Sequence, residues 1–177
     1  MSHETSQKYP SVIRLLHWPV AVMIIALLVV GFIASNIPKG DSSRHLYLGL
    51  HKSVGLTLLA LAVLRVSLRL RIAAPPMPEV LPLLQRKFAH FAHLGFYGLM
   101  LLMPVSGYVM STSLGQPVRW FGLDMLRLLG EDRARGMIAK NIHVVAAYAL
   151  IILLALHIGA ALWHYVAHRK NLLQRIV

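Results

Sequence analysis

The 177-residue chain contains no cysteine, which excludes disulfides, thiolate-held iron–sulfur clusters and the thioether attachment of a c-type haem. Acids are scarce, six Asp and Glu against 18 Lys and Arg, for a formal net charge of +12. That scarcity argues against a haem-free proton or metal transporter, whose interior needs carboxylates to share protons or bind cations. Charge of either sign is sparse: 14% of residues are charged, while 57% are hydrophobic. Soluble domains carry about 25% charged residues. In a soluble protein the basic excess would suggest nucleic acid. Here the basic residues flank apolar runs, so lipid headgroups and membrane topology explain them and no nucleic-acid partner is expected.

A helix needs roughly 20 apolar residues to cross a bilayer. Four segments qualify, at about Leu15–Ser35, Tyr47–Leu68, Phe88–Met110 and Ile142–Val166. The expected fold is an all-α membrane protein, a four-helix transmembrane bundle forming one domain over residues 1–177. The first run is too long for a signal-peptide core, contains His17 and has no A-x-A site after it, so it reads as a retained helix. Breakers end the spans: Asn36-Ile37-Pro38-Lys39-Gly40-Asp41 after the first and Pro75-Pro76-Met77-Pro78 after the second. Pro104 and Gly107 are expected to kink the third. The stretch Trp120–Leu126 mixes aromatic, apolar and charged residues and reads as a short interfacial helix, either a lid lying on the membrane surface or an element on which a partner docks. Ten basic residues and two acids fall at the end holding both termini, and eight basic residues and four acids at the other. The positive-inside rule then places both termini in the cytoplasm.

Ten histidines demand an account, because a titratable side chain inside a bilayer is costly and usually functional. His17, His51, His143 and His157 lie within the spans. His143 and His157 are 14 residues apart; at 100° per residue they share a face to within about 40° and stand about 21 Å apart along the axis. Such a separation suits two haems stacked across the membrane, not one metal site. Matching depths pair His51 with His143 at the outer end and His17 with His157 at the inner. A bis-His iron has no open position for oxygen and serves electron transfer. The outer pair competes only with His45, in the loop. At the inner end His90, His93 and His164 are also near the surface, and spacing does not choose among them.

The chain resembles the bacterial cytochrome b561 group, which is related to the cytochrome b subunits of nickel–iron hydrogenases. The resemblance rests on Leu16-His17-Trp18, Leu50-His51-Lys52-Ser53, Arg65-x-x-x-Arg69, Ala89-His90-x-x-His93-x-x-x-Tyr97, Pro104-x-x-Gly107 and Leu156-His157, and spans Arg14 to about Arg175. It implies two non-covalent haem b groups, held by His17, His51, His143 and His157. It also implies residence in the bacterial inner membrane and electron transfer involving the quinone pool. Asn141-Ile142 stand before His143 where an aromatic is expected.

The compact, stand-alone members of that group resemble superoxide:ubiquinone oxidoreductases. The resemblance therefore implies superoxide as donor at the periplasmic face and ubiquinone as acceptor. The competing expectation is an anchor subunit that links a partner dehydrogenase or hydrogenase to the quinone pool. Four compact spans joined by basic loops favour the stand-alone form. Lys140 and Arg135, with Arg133 and Lys52, would form a basic surface over the outer haem that draws the anion in. Arg65 and Arg69 would pair with inner-haem propionates, or serve topology and headgroup binding. His90, His93 and Tyr97 form a stripe on the third helix suited to a quinone pocket, a proton path or second-sphere hydrogen bonding.

Overall fold

The computed structural model describes residues 8–76, 82–167 and 172–176. Its elements are α1 (Ser11–Asn36), α2 (Ser42–Arg71), α3 (Leu83–Ser113), β1 (Arg119–Trp120), β2 (Leu123–Asp124) and α4 (Arg133–Ala167), followed by a 3-10 turn at Leu172–Arg175. All four helices are long and apolar enough to cross a membrane. The chain is therefore a multi-pass, all-α membrane protein. Neighbours in sequence pack as neighbours in space, α1 on α2, α2 on α3 and α3 on α4. The beginning of α1 and the end of α4 share one end of the bundle, the termini end. The α3–α4 connection occupies the other, the hairpin end.

Each helix outruns the apolar segment that marks it. Apolarity reports the length inside hydrocarbon, whereas a helix continues for as long as its backbone is capped. The second helix begins at Ser42, five residues before the expected Tyr47, because the Asp41 carboxylate accepts from the Ser43 amide at 2.9 Å and the Ser43 hydroxyl at 2.8 Å. Those two bonds hold the Asp41 carboxyl below the usual carboxylate range. The fourth begins at Arg133 rather than Ile142, with Asp132 accepting from the Arg135 amide at 3.0 Å. The third spans Leu83–Ser113 and contains Pro104; a bundle tolerates the lost donor where neighbouring helices satisfy the freed groups.

Large apolar side chains point outward: Leu15 and Phe32 are both 73% exposed, as lipid-facing residues should be. Inside, Val20 and Ile24 of α1, Leu58 and Ala62 of α2, Met100 of α3 and Leu150 of α4 form one buried cluster. Sevenfold steps explain its position. His93, Met100 and Gly107 follow one another on α3, and His143, Leu150 and His157 on α4. Seven residues nearly complete two turns, so each series keeps to one face. The apolar cluster forms the waist of the bundle, with histidines above and below.

The expected interfacial helix at Trp120–Leu126 is not formed. The segment is a two-residue hairpin, Arg119 opposite Asp124 and Trp120 opposite Leu123. Phe121 and Gly122 both have positive φ, 47° and 94°, the requirement of a type I′ turn, which overrides the apolar pattern that suggested a helix. Phe121 is an unfavourable residue there, and its amide is held at 3.1 Å by the Ser53 hydroxyl of α2. Trp120 Nε1 donates to Thr57 Oγ1 at 3.0 Å, and Lys52 Nζ donates to the Gln116 side chain and the Pro117 carbonyl at 3.2 and 3.0 Å. The hairpin is thus a lid latched to α2 beside His51. Ser53→Ala should leave the Phe121 amide without its acceptor and loosen the latch by about 1–3 kcal/mol. Hydrogen exchange at Phe121 should accelerate at least several-fold, while amides at the waist stay protected.

Candidate functional site

Two histidine levels lie on either side of the waist. At the hairpin end, His51 sits about nine residues into α2 and His143 about ten into α4, so both lie roughly 14 Å from their helix starts. Equal depth on facing helices brings the rings together: their centroids are 6.2 Å apart and their planes 73° apart. One metal ion bound to both imidazoles at about 2 Å would need roughly that separation.

His143 has its tautomer set by its neighbours. Its Nδ1 lies 2.9 Å from the Met103 carbonyl and 3.1 Å from Ser106 Oγ. A carbonyl only accepts, so Nδ1 carries the proton and Nε2 keeps its lone pair for a metal. His51 has the Leu27 backbone as a polar neighbour, and its buried Nδ1 makes no hydrogen bond of ordinary geometry. Both rings abut glycines of adjacent helices. A Cβ on Gly31 would fall 3.0 Å from His51 Cε1, and one on Gly107 would fall 3.1 Å from His143 Cε1. Paired imidazoles, one free of ordinary hydrogen bonds and both lying close against glycines, would suit ligation of an iron cofactor.

At the termini end three histidines gather. The ring neighbours of His157 are His93, at 6.0 Å between centroids, and Phe96, at 5.2 Å. His17 lies within electrostatic range of both His93 and His157. Its closest polar contact is Arg65, whose Nη2 lies 3.2 Å from His17 Nδ1. A guanidinium only donates, so this Nδ1 accepts and the neutral ring carries its proton on Nε2, the reverse of His143. The structure therefore brings His51 to His143 as expected, but it sets His93, not His17, against the ring of His157. Sequence spacing placed His93 near this surface. The seven-residue step from His93 to Met100 was the signal that it faces inward.

Arg65 is 9% exposed, and its contacts are the Ile13 carbonyl, at 3.1 Å, and His17. The ion pairs among the described residues are Arg119–Asp124, Arg127–Glu131 and Arg135–Asp132, none of them near Arg65. A buried cation without a counter-charge is costly, and a site for an anionic group explains it. Arg69 donates to the Ile72 carbonyl at 2.8 Å and lies 5.7 Å from the Tyr9 ring, which also faces Arg175.

Of the basic residues expected over the hairpin end, Lys140 is exposed, one turn before His143, and forms no hydrogen bond or ion pair among the described residues. Arg135 is tied down, donating through Nε to Ser113 Oγ at 2.8 Å and through Nη2 to the Gly130 carbonyl. Lys52 is held by the lid. His90 packs against Phe91.

A helical membrane bundle with opposed imidazoles between its helices defines a class, the membrane-embedded electron-transfer cytochromes. The sequence matches the family described as prokaryotic cytochrome b561 over residues 8–177, and the chain belongs to that family. It is similar to cytochrome b561 homolog 2 of Escherichia coli K12, at 29% identity over 98% of this chain and 93% of the relative. Cytochrome b561 homolog 1 of the same organism is 25% identical, with 92% of each chain covered. A protein named probable superoxide oxidase CybB, of Yersinia pestis, is 28% identical over 72% of this chain and 73% of its own length. Membership implies haem b binding and electron transfer in a membrane.

Proposed function

We propose that the chain is a di-haem superoxide:ubiquinone oxidoreductase of the bacterial inner membrane, with both termini in the cytoplasm and the hairpin end facing the periplasm. The observation that carries this reading is the opposed His51–His143 pair, 6.2 Å between ring centroids, beneath a surface where Lys140 is free to meet an anion. The relative named a probable superoxide oxidase supports the choice of donor. In the overall reaction two superoxide anions each release one electron and leave as oxygen, while ubiquinone takes two electrons and two protons to become ubiquinol.

His51 and His143 would hold one haem b, and His17 and His157 the other. Bound haem supplies a one-electron iron couple. His143 enters as a neutral ligand, its proton fixed on Nδ1 by Met103. His17 must first move its ring proton from Nε2 to Nδ1, which requires Arg65 to release that nitrogen. An anionic partner would give Arg65 the reason to do so; haem propionates would be such a partner, and Arg69 would be a second cation to hold them. The third histidine, His93, is left to orient His157 or to border a quinone site with Tyr97.

The test is the absorption spectrum and haem-to-protein ratio of the purified protein, followed by mixing with superoxide. A b-type spectrum with roughly two haems per chain, reduced by superoxide and reoxidised by ubiquinone, is the expected outcome. A colourless protein would end the proposal.

Arg65→Ala should lower the midpoint potential of the haem at the termini end, because a lost positive charge disfavours the reduced, more negative form. At an effective dielectric near 20 and a separation near 10 Å the effect is roughly 1–2 kcal/mol, or some tens of millivolts. A redox titration in which neither haem moves would leave Arg65 a topological role only.

A further inference from the structure

Two glycines inside helices stand out, because glycine in a helix interior costs about 1 kcal/mol relative to alanine. Gly31 and Gly107 lie within α1 and α3, away from the positive-φ positions of the chain, so backbone conformation does not call for them. Close approach does. A Cβ on Gly31 would meet His51 Cε1 at 3.0 Å, Nδ1 at 3.4 Å and Nε2 at 3.9 Å. A Cβ on Gly107 would meet His143 Cε1 at 3.1 Å and Nδ1 at 3.3 Å, with Nε2 beyond 4 Å. In both cases the helix carrying the glycine packs directly on the helix carrying the histidine.

The arrangement is specific to one level. Among the described glycines only these two would meet an imidazole: Gly95, next to His93 on α3, would meet the end of Leu153 at 3.2 Å, and Gly98 and Gly159 would meet nothing within 4 Å. The histidines at the termini end have no such clearance.

We infer that Gly31 and Gly107 are positioning residues for the haem at the hairpin end, each admitting the edge of one axial imidazole and together holding the two rings near perpendicular. The inference rests on His51 and His143 being the axial pair. An alanine methyl at either site would press on the ring at 3.0–3.1 Å, tighter than most Cβ contacts, so the ring would have to give by a few tenths of an ångström, which it can do by turning about its own bonds. The Met103 bond to His143 Nδ1, 2.9 Å long, resists that turn on one side. The present angle of 73° between the planes is therefore a product of the two clearances and not of the histidines alone.

The angle between axial imidazoles is readable. Near-perpendicular rings give a ferric low-spin resonance of extreme anisotropy, and rotation toward parallel lowers its largest g value. The experiment is electron paramagnetic resonance on purified, haem-loaded Gly31→Ala, Gly107→Ala and Gly95→Ala, with the haem-to-protein ratio measured alongside. The first two should shift the largest g value of one haem and leave the other haem unchanged, and Gly95→Ala should leave both in place. Gly31→Val and Gly107→Val should go further and lose one haem of the two, the same one lost in His51→Ala. Retention of the second haem reports that each variant is folded. Wild-type resonances and haem content in all four variants at Gly31 and Gly107 would overturn the inference. The underlying ligand assignment fails by a different result, namely His51→Ala and His143→Ala keeping both low-spin haems.

Discussion

Replacing His143 by alanine should remove one haem and leave the other, taking the ratio from roughly two per chain to roughly one. His51→Ala should do the same and produce the same residual spectrum. The expectation follows from geometry: the rings oppose one another at 6.2 Å, at equal depth on different helices, which would let both serve one iron. With one imidazole gone the haem loses one of its two iron bonds to the protein, and a b-type haem has no thioether tether to compensate. His157→Ala should remove the other haem. The remaining partner is decided by comparing His17→Ala with His93→Ala. Loss on His17→Ala supports the pair implied by family resemblance. Loss on His93→Ala alone would assign the ligand to the ring that the structure sets against His157. Two low-spin haems surviving in both His51→Ala and His143→Ala would refute the hairpin-end site.

The second large effect concerns how the donor arrives. Superoxide is a small anion, and Lys140 stands exposed one turn before His143, whereas Arg135 and Lys52 are engaged in bonds to the α3–α4 connection. Steering therefore falls mainly on Lys140, with the exposed Arg133 beside it. Reduction of the haems by superoxide should slow as salt rises, because the Debye length shrinks from about 30 Å at 0.01 M to about 8 Å at physiological strength. A fall of roughly tenfold is in keeping with focused steering. Lys140→Gln should slow the low-salt rate several-fold and flatten the salt dependence, with haem content unchanged. Stopped-flow mixing across that range checks both. A rate indifferent to salt and to the substitution removes guidance from the mechanism, and no reduction at all favours a partner dehydrogenase as donor.

The four spans could be read from the chain because hydrocarbon imposes a length and a composition on any helix that crosses it. Their ends could not, because Asp41 and Asp132 cap the helices in polar territory where hydropathy is silent. The hairpin was missed for a related reason. Trp120 and Phe121 look interfacial by composition, but the turn is decided by two positive φ angles and by the Ser53 hydroxyl, which is 68 residues away in the chain from the amide it holds. The opposed pair His51 and His143 was legible through depth alone. At the termini end depth was degenerate, since His90, His93 and His164 compete there with His17 and His157, and weighing His93 against His17 needs the rotation of α3 and the position of Arg65. The clearances at Gly31 and Gly107 require knowing which helix face meets which ring, something that no spacing rule reports.

The waist formed by Val20, Ile24, Leu58, Ala62, Met100 and Leu150 has a consequence for the cell's energetics. The bundle carries polar groups at both ends, and a continuous polar thread between them would conduct protons down the membrane potential. Six buried apolar side chains from four helices stand across the path of such a thread and offer no polar partners to a chain of waters. Electrons can tunnel across such a layer and protons cannot hop through it. The waist would thus make the bundle a conductor for one carrier and an insulator for the other, and a polar substitution within it such as Leu58→Ser should raise the proton leak across the membrane.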